Sequence, residues 1–156
     1  MFRCLIIGFG NPLRSDDGIG WHVAREFSHE FQHDDVQVIA AHQLTPEMAE
    51  MASRAERVLF VDATHKGKPG SVNCEPVAPA APASHFTHEL TPASVLTLAQ
   101  ELYGHRPPAY LLTVAGECFE TGDAMSAVAI AAIPELMAHL RQFLNADEKS
   151  ASRLGQ

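Results

Sequence analysis

Three acidic side chains and one histidine stand where their chemistry matters. Asp16 and Asp17 follow the glycine-rich turn Gly8-Phe9-Gly10-Asn11-Pro12, and Asp62 follows directly on the apolar run Val58-Leu59-Phe60-Val61. A carboxylate after a buried strand is costly to bury unless it is paired or meets a cation. His88 stands just before or within the first turn of a later helix, opened by Thr91-Pro92. Two carboxylates and an imidazole at one edge would suit a divalent cation of intermediate hardness, such as nickel or zinc. Plainer uses stand beside this one. Ser15 or Asp16 is suited to capping a helix. Asp62 is suited to ending a strand as a cap or turn residue, since Thr64, Gly67 and Gly70 mark a loop. With nine histidines in the chain, most are solvated or capping residues.

The turn itself excludes two common phosphate sites. Leu13 stands where a dinucleotide fingerprint needs its third glycine, and no lysine follows as a P-loop requires. Two carboxylates at the start of a helix repel the anion that such an end otherwise favours.

The elements that must position these residues read in order. Leu5–Ile7 is a short strand ended by Gly8 and Gly10, and Ile19, Val23, Ala24, Phe27 and Phe31 recur at helical spacing. Val36–Ala41 is a second strand. Thr45 and Pro46 open a short helix reaching about Ala55, with Thr45 as N-cap. Val58–Val61 is a third strand. The loop 63–70 is too short for a crossover helix, so Ser71–Val77 is expected to run antiparallel to its predecessor. Thr91-Pro92 opens a helix with Val95, Leu98, Ala99 and Leu102 as its buried stripe, ended by Gly104. Tyr110–Val114 is a fifth strand, and a last helix spans about Ala124–Leu144, with Pro134 kinking or breaking it.

This order predicts an α/β fold: a three-layer α/β/α sandwich around a mostly parallel five-stranded sheet with one antiparallel strand. Residues 1–145 form a single domain and 146–156 a frayed tail. With the first, third and fifth strands central and parallel, the loops Gly8–Asp17, Asp62–His65 and Gly116–Glu120 converge on one sheet edge, where open α/β sheets bind ligands. The loop carrying His88 is placed to reach the same edge.

Composition sets limits. The chain has 156 residues, is 46% apolar, and carries a formal charge of −8, which argues against nucleic acid as a partner. Cys4, Cys74 and Cys118 lack paired metal-ligand spacing, as expected of a reduced, cytoplasmic protein. The first apolar run stops at Gly8, too short for a signal peptide or a membrane span, so no membrane association is expected.

The opening Gly8-x-Gly10-Asn11-x-Leu13-x-x-Asp16-Asp17-Gly18-x-Gly20 resembles that of the hydrogenase maturation endopeptidases. Val61-Asp62-Ala63, Thr87-His88-x-Leu90 and Gly116-Glu117-x-Phe119-Glu120 are similar to further signatures of that family, in the same order. The resemblance implies an endopeptidase that removes the C-terminal extension of a nickel-loaded NiFe hydrogenase large-subunit precursor. It implies that Asp17, Asp62 and His88 are the metal-binding and catalytic trio, recognising nickel already seated in the substrate. No tightly bound cofactor is then expected, and the protein is expected to be a monomer. Many members have Glu where Asp17 stands; both are oxygen ligands. Many also carry Asp-Gly-Gly or Asp-Gly-Thr after the second strand, where this chain has Ala41-His42-Gln43-Leu44-Thr45. His42 or Gln43 is expected to take over substrate sensing there. A serine or cysteine protease is not expected, since no G-x-S-x-G elbow occurs and Cys118 has no evident base. Two other readings remain. One is a non-catalytic metal or nucleotide sensor of the same layout. The other is a peptidyl-tRNA hydrolase-like esterase, which shares Gly-x-Gly-Asn-Pro but expects a Thr-Arg-His-Asn stretch where Asp16-Asp17-Gly18 stands.

Overall fold

The computed structural model describes residues 1–78 and 90–154, with side chains described as far as residue 146. His88 therefore lies outside the described residues. The elements are β1 (Phe2–Phe9), a 3-10 turn (Ser15–Gly18), α1 (Ile19–Glu30), β2 (Val36–Ala41), α2 (Met48–Ser53), β3 (Ala55–Thr64), β4 (Val72–Pro76), α3 (Pro92–Tyr103), β5 (Ala109–Ala115) and α4 (Ala127–Leu154). The sheet order is β2-β1-β3-β5-β4. All neighbours are parallel except β4, which pairs antiparallel with β5.

Strand alternation sends successive side chains to opposite faces, and here it separates two cores. Cys4 and Ile6 of β1, Leu59 and Val61 of β3, and Leu112 and Val114 of β5 pack with α1 and α4. Leu5, Ile7, Val58 and Phe60 pack with α2 and α3. The sheet is thus covered on both faces, which is why its strands read as continuous apolar runs. The apolar stretch Ala127–Ala146 is long enough to cross a membrane by length and composition alone. Its Ala129, Ala132, Leu136, Met137, Leu140 and Leu144 are buried against the sheet instead.

Several local expectations are corrected. Ser15 and Asp16 cap neither their own 3-10 turn nor α1, whose N-caps make no side-chain hydrogen bond. Thr45 does not cap α2; its carbonyl and that of Pro46 accept from Met48 and Ala49, forming a turn before a helix that starts at Met48. Ala55 belongs to β3 rather than to α2. β4 does run opposite to β3, but β5 lies between them, because the loop after β3 crosses the end of β5 and Gly70 N–H bonds Ala115 C=O at 2.7 Å. Leu102 is 65% exposed, and Leu96 takes its place in the stripe. α4 starts at Ala127 rather than 124, and its helical assignment passes through Pro134 unbroken and beyond residue 145 to Leu154. By contrast, Thr91 caps α3, its hydroxyl oxygen accepting from Ser94 N–H at 3.1 Å, and Gly104 closes that helix at φ 76°.

Two glycines bring α1 against the sheet. A Cβ on Gly8 would lie 2.1 Å from Gly20 C=O, and one on Gly20 would lie 2.3 Å from Val61 C=O and 2.5 Å from Phe9 C=O. These neighbours are backbone and have no rotamer by which to yield. Gly20→Ala is therefore expected to destabilise the protein by about 3 kcal/mol or more, read as a lower urea midpoint. An unchanged midpoint would show that α1 shifts at no cost.

Candidate functional site

The carboxyl ends of β1, β2 and β3 open into a cleft of about 670 Å³ lined by Phe9, Gly10, Asn11, Arg14, Asp17, His42–Pro46, Asp62, His65 and Leu90. Its position follows from the parallel strands of the sheet, which deliver the loops after β1, β2 and β3 to the same edge. The cleft joins Asp17 and Asp62 as expected, from turns far apart in sequence.

Asp62 continues the column of Val58 and Phe60 on the α2–α3 face, which explains its poor solvation. It lies within β3, paired with Thr113, so the sheet fixes its backbone. Burial pushes its pKa up to about 7, the charge of Asp17 adding to the rise and the hydrogen bond from Ala63 N–H opposing it. Asp17 is anchored by the turn after β1, where its Oδ2 accepts from Asn11 N–H at 2.9 Å. One oxygen of each carboxylate is thus held by backbone. Among the described residues, no three His, Cys, Asp or Glu side chains are grouped so as to hold a metal ion. Asp17 and Asp62 together offer two oxygen donors, and the nitrogen donor expected from His88 lies outside the described residues.

Asp16, next in sequence to Asp17, does something different. It is fully buried and turned toward the segment after β5. Its Oδ2 accepts from Glu117 N–H at 2.8 Å, Cys118 N–H at 3.1 Å and Ser126 Oγ at 2.7 Å, while Oδ1 accepts from Ser126 N–H at 2.8 Å. Ser126 Oγ in turn accepts from Ala129 N–H, so Asp16 orients the residue that caps α4. Burial alone would raise the Asp16 pKa. The Ser126 N–H and hydroxyl and the Glu117 and Cys118 N–H groups outweigh it and hold the carboxyl below its ordinary value. Gly116 permits this approach, since a Cβ there would meet Phe119 at 2.6 Å and Asp16 Cβ at 2.9 Å.

The remaining cleft residues come from the segments after β1, β2 and β3 and from Leu90 before α3. His42 and Gln43 line it, with the His42 ring 5.9 Å from Trp21 in an edge arrangement. His65 stacks on Phe119 with ring centroids 3.7 Å apart, joining the loop after β3 to the loop after β5. The sequence places the loops carrying Arg14 and His65 at this edge but does not single out either residue. The signal available for His65 was its place three residues after Asp62, on the loop that leaves the site.

The sequence matches no protein-family model and no curated protein. The structure does have solved neighbours. A NiFe hydrogenase maturation protease, HycI, from Thermococcus kodakarensis KOD1 superposes with a TM-score of 0.74 at 21% identity over 92% of each chain. The hydrogenase maturating endopeptidase HybD from E. coli superposes with a TM-score of 0.75 at 21% identity over 94% of each chain. A hydrogenase 2 maturation peptidase from Thaumarchaeota archaeon SCGC_AB-539-E09 gives 0.69 at 21% identity over 92% of this chain and 98% of that one. Five strands in one mixed sheet, helices on both faces and near-complete coverage in each comparison give the chain the fold of the hydrogenase maturation proteases.

Proposed function

We propose that this protein is an endopeptidase that removes the C-terminal extension from the large-subunit precursor of a NiFe hydrogenase. The observation that carries the reading is the meeting of Asp17 and Asp62 in one cleft at the carboxyl edge of a sheet with this fold. In this reading Asp17, Asp62 and His88 recognise nickel that is part of the substrate, and the protein carries no resident cofactor. The metal arriving with the precursor is a Lewis acid suited to polarising a water for peptide hydrolysis. Asp62, titrating near neutrality, is suited to hold or release a proton during that step. Asp17 lines the same cleft, its carboxylate held by Asn11 N–H. The same reading makes the protein a cytoplasmic monomer.

The test is intact-mass analysis of a cognate precursor incubated with the protein, with and without nickel in the precursor. Loss of a C-terminal peptide from the nickel-loaded form alone is expected, and His88→Ala is expected to abolish it while leaving the fold intact. Tight nickel binding with every precursor left whole would favour a sensor. Cleavage of both forms would keep the protease and remove nickel recognition from Asp17, Asp62 and His88.

A further inference from the structure

We propose that Arg14 determines specificity by binding a carboxylate of the peptide substrate at the mouth of the cleft. The proposal rests on the endopeptidase reading and concerns what else that site recognises.

Arg14 is fixed in backbone and open in side chain. Its N–H donates to Asn11 C=O at 3.0 Å, and its own C=O accepts from Asp17 N–H at 3.1 Å. On either side, Leu13 C=O accepts from Gly122 N–H at 2.8 Å and Ser15 N–H donates to Gly122 C=O at 2.9 Å. Ser15 Oγ adds a bond to Glu120 C=O at 2.8 Å. Ser15 itself sits at φ 53°, a conformation that a non-glycine residue keeps only where its surroundings impose it. The turn is thus clamped from both flanks, and the residue it presents is Arg14.

The side chain is exposed and lines the cleft that holds Asp17 and Asp62. Among the described residues its guanidinium has no hydrogen-bond or ion-pair partner. It is also the one Lys or Arg among the residues lining the cleft. The protein carries a formal charge of −8, the two cleft carboxylates included, so within the cleft Arg14 is the one fixed positive charge that can attract an anionic peptide. A guanidinium offers paired N–H donors that fit a carboxylate along both oxygens. Its exposed side chain, on a turn rather than on the strand that carries the buried Asp62, fits it for holding substrate rather than for touching the scissile bond. The carboxylate has two possible sources: an acidic side chain near the cut, or the free α-carboxylate at the end of the extension.

The experiment measures processing kinetics of wild type, Arg14→Gln and Arg14→Lys on a nickel-loaded precursor. Arg14→Gln is expected to raise KM about tenfold, the cost of one charge-assisted contact, with kcat within about twofold and the Tm unchanged. Arg14→Lys should recover part of the KM. Two altered precursors identify the source: one with the acidic residues of the extension changed to amides, one ending in a carboxamide. The precursor on which wild type and Arg14→Gln become equal has lost the carboxylate that Arg14 binds. Equal KM on the unaltered precursor overturns the proposal, as does a KM difference that survives both neutralisations. Failure of wild type to cleave any precursor overturns the endopeptidase reading, and the role of Arg14 with it.

Discussion

Asp62→Asn is expected to give a protein that is more stable above pH 7 and inactive as a peptidase. Asp62 titrates near pH 7 in the folded protein, against 3.8 for its ordinary value. Between those values the folded chain holds a proton that the unfolded chain has released. Stability from this group is therefore fully present below about pH 4, falls as pH rises, and settles at a constant penalty above about pH 7. Asparagine has no such penalty, and its amide oxygen can still accept the Ala63 N–H that Asp62 accepts now. The gain should be on the order of 2 kcal/mol at pH 8 and vanish toward pH 4, measured as paired urea midpoints across that range. Processing should fall at least about a hundredfold, the usual loss when an acid–base group is removed. A gain over wild type no larger at pH 8 than at pH 4 would show that burial imposes no penalty on the charged Asp62. A variant with full processing would remove Asp62 from the chemistry.

Asp16→Ala should act in the opposite sense. The substitution leaves the Glu117, Cys118 and Ser126 N–H groups and the Ser126 hydroxyl facing a buried void. Unmade hydrogen bonds of this kind cost roughly 1–3 kcal/mol each, so a total loss on the order of 4 kcal/mol is expected, partly relieved where water enters. Because the Asp16 carboxyl is held below its ordinary value, its contribution is present above about pH 4 and lost as pH falls through the folded pKa. The wild-type and Asp16→Ala stabilities should therefore draw together in acid. Hydrogen exchange at the Glu117 and Cys118 amides should also accelerate in the variant at neutral pH. Unchanged protection at those two amides would mean that the loop is held by something other than Asp16.

These two aspartates show where the sequence is legible and where it is not. The turn Gly8–Pro12, the four apolar strands β1, β2, β3 and β5 and the Thr91 cap of α3 declare themselves locally, because backbone geometry and strand burial act within a few residues. Asp16 and Asp17 are chemically identical neighbours, and what separates them is a set of N–H donors a hundred residues away. The same holds for β4: its short connection after β3 suggests pairing with β3, but the insertion of β5 is decided by residues 109–115. β3 runs past Asp62 to Thr64 for a similar reason, since Thr113 and Ala115 are there to pair with it. The lip residue Arg14 is an exposed turn residue with no local signal of a role, and only the folded cleft gives it one.

The reach of Asp16 also has a temporal side. Its acceptor atoms are made early, and their donors at 117, 118 and 126 come more than a hundred residues later. A chain growing on the ribosome can pair β1, β2 and β3 long before the last of these partners is synthesised, because those strands and their connecting helices are contiguous in residues 2–64. The turn that carries Arg14 and Asp17 stays unclamped through that interval. Contacts of such long sequence separation are slow to close. A nascent or truncated chain therefore has the carboxylates of the cleft without the brace that aims them, and competence to act on a partner arrives only with the finished protein.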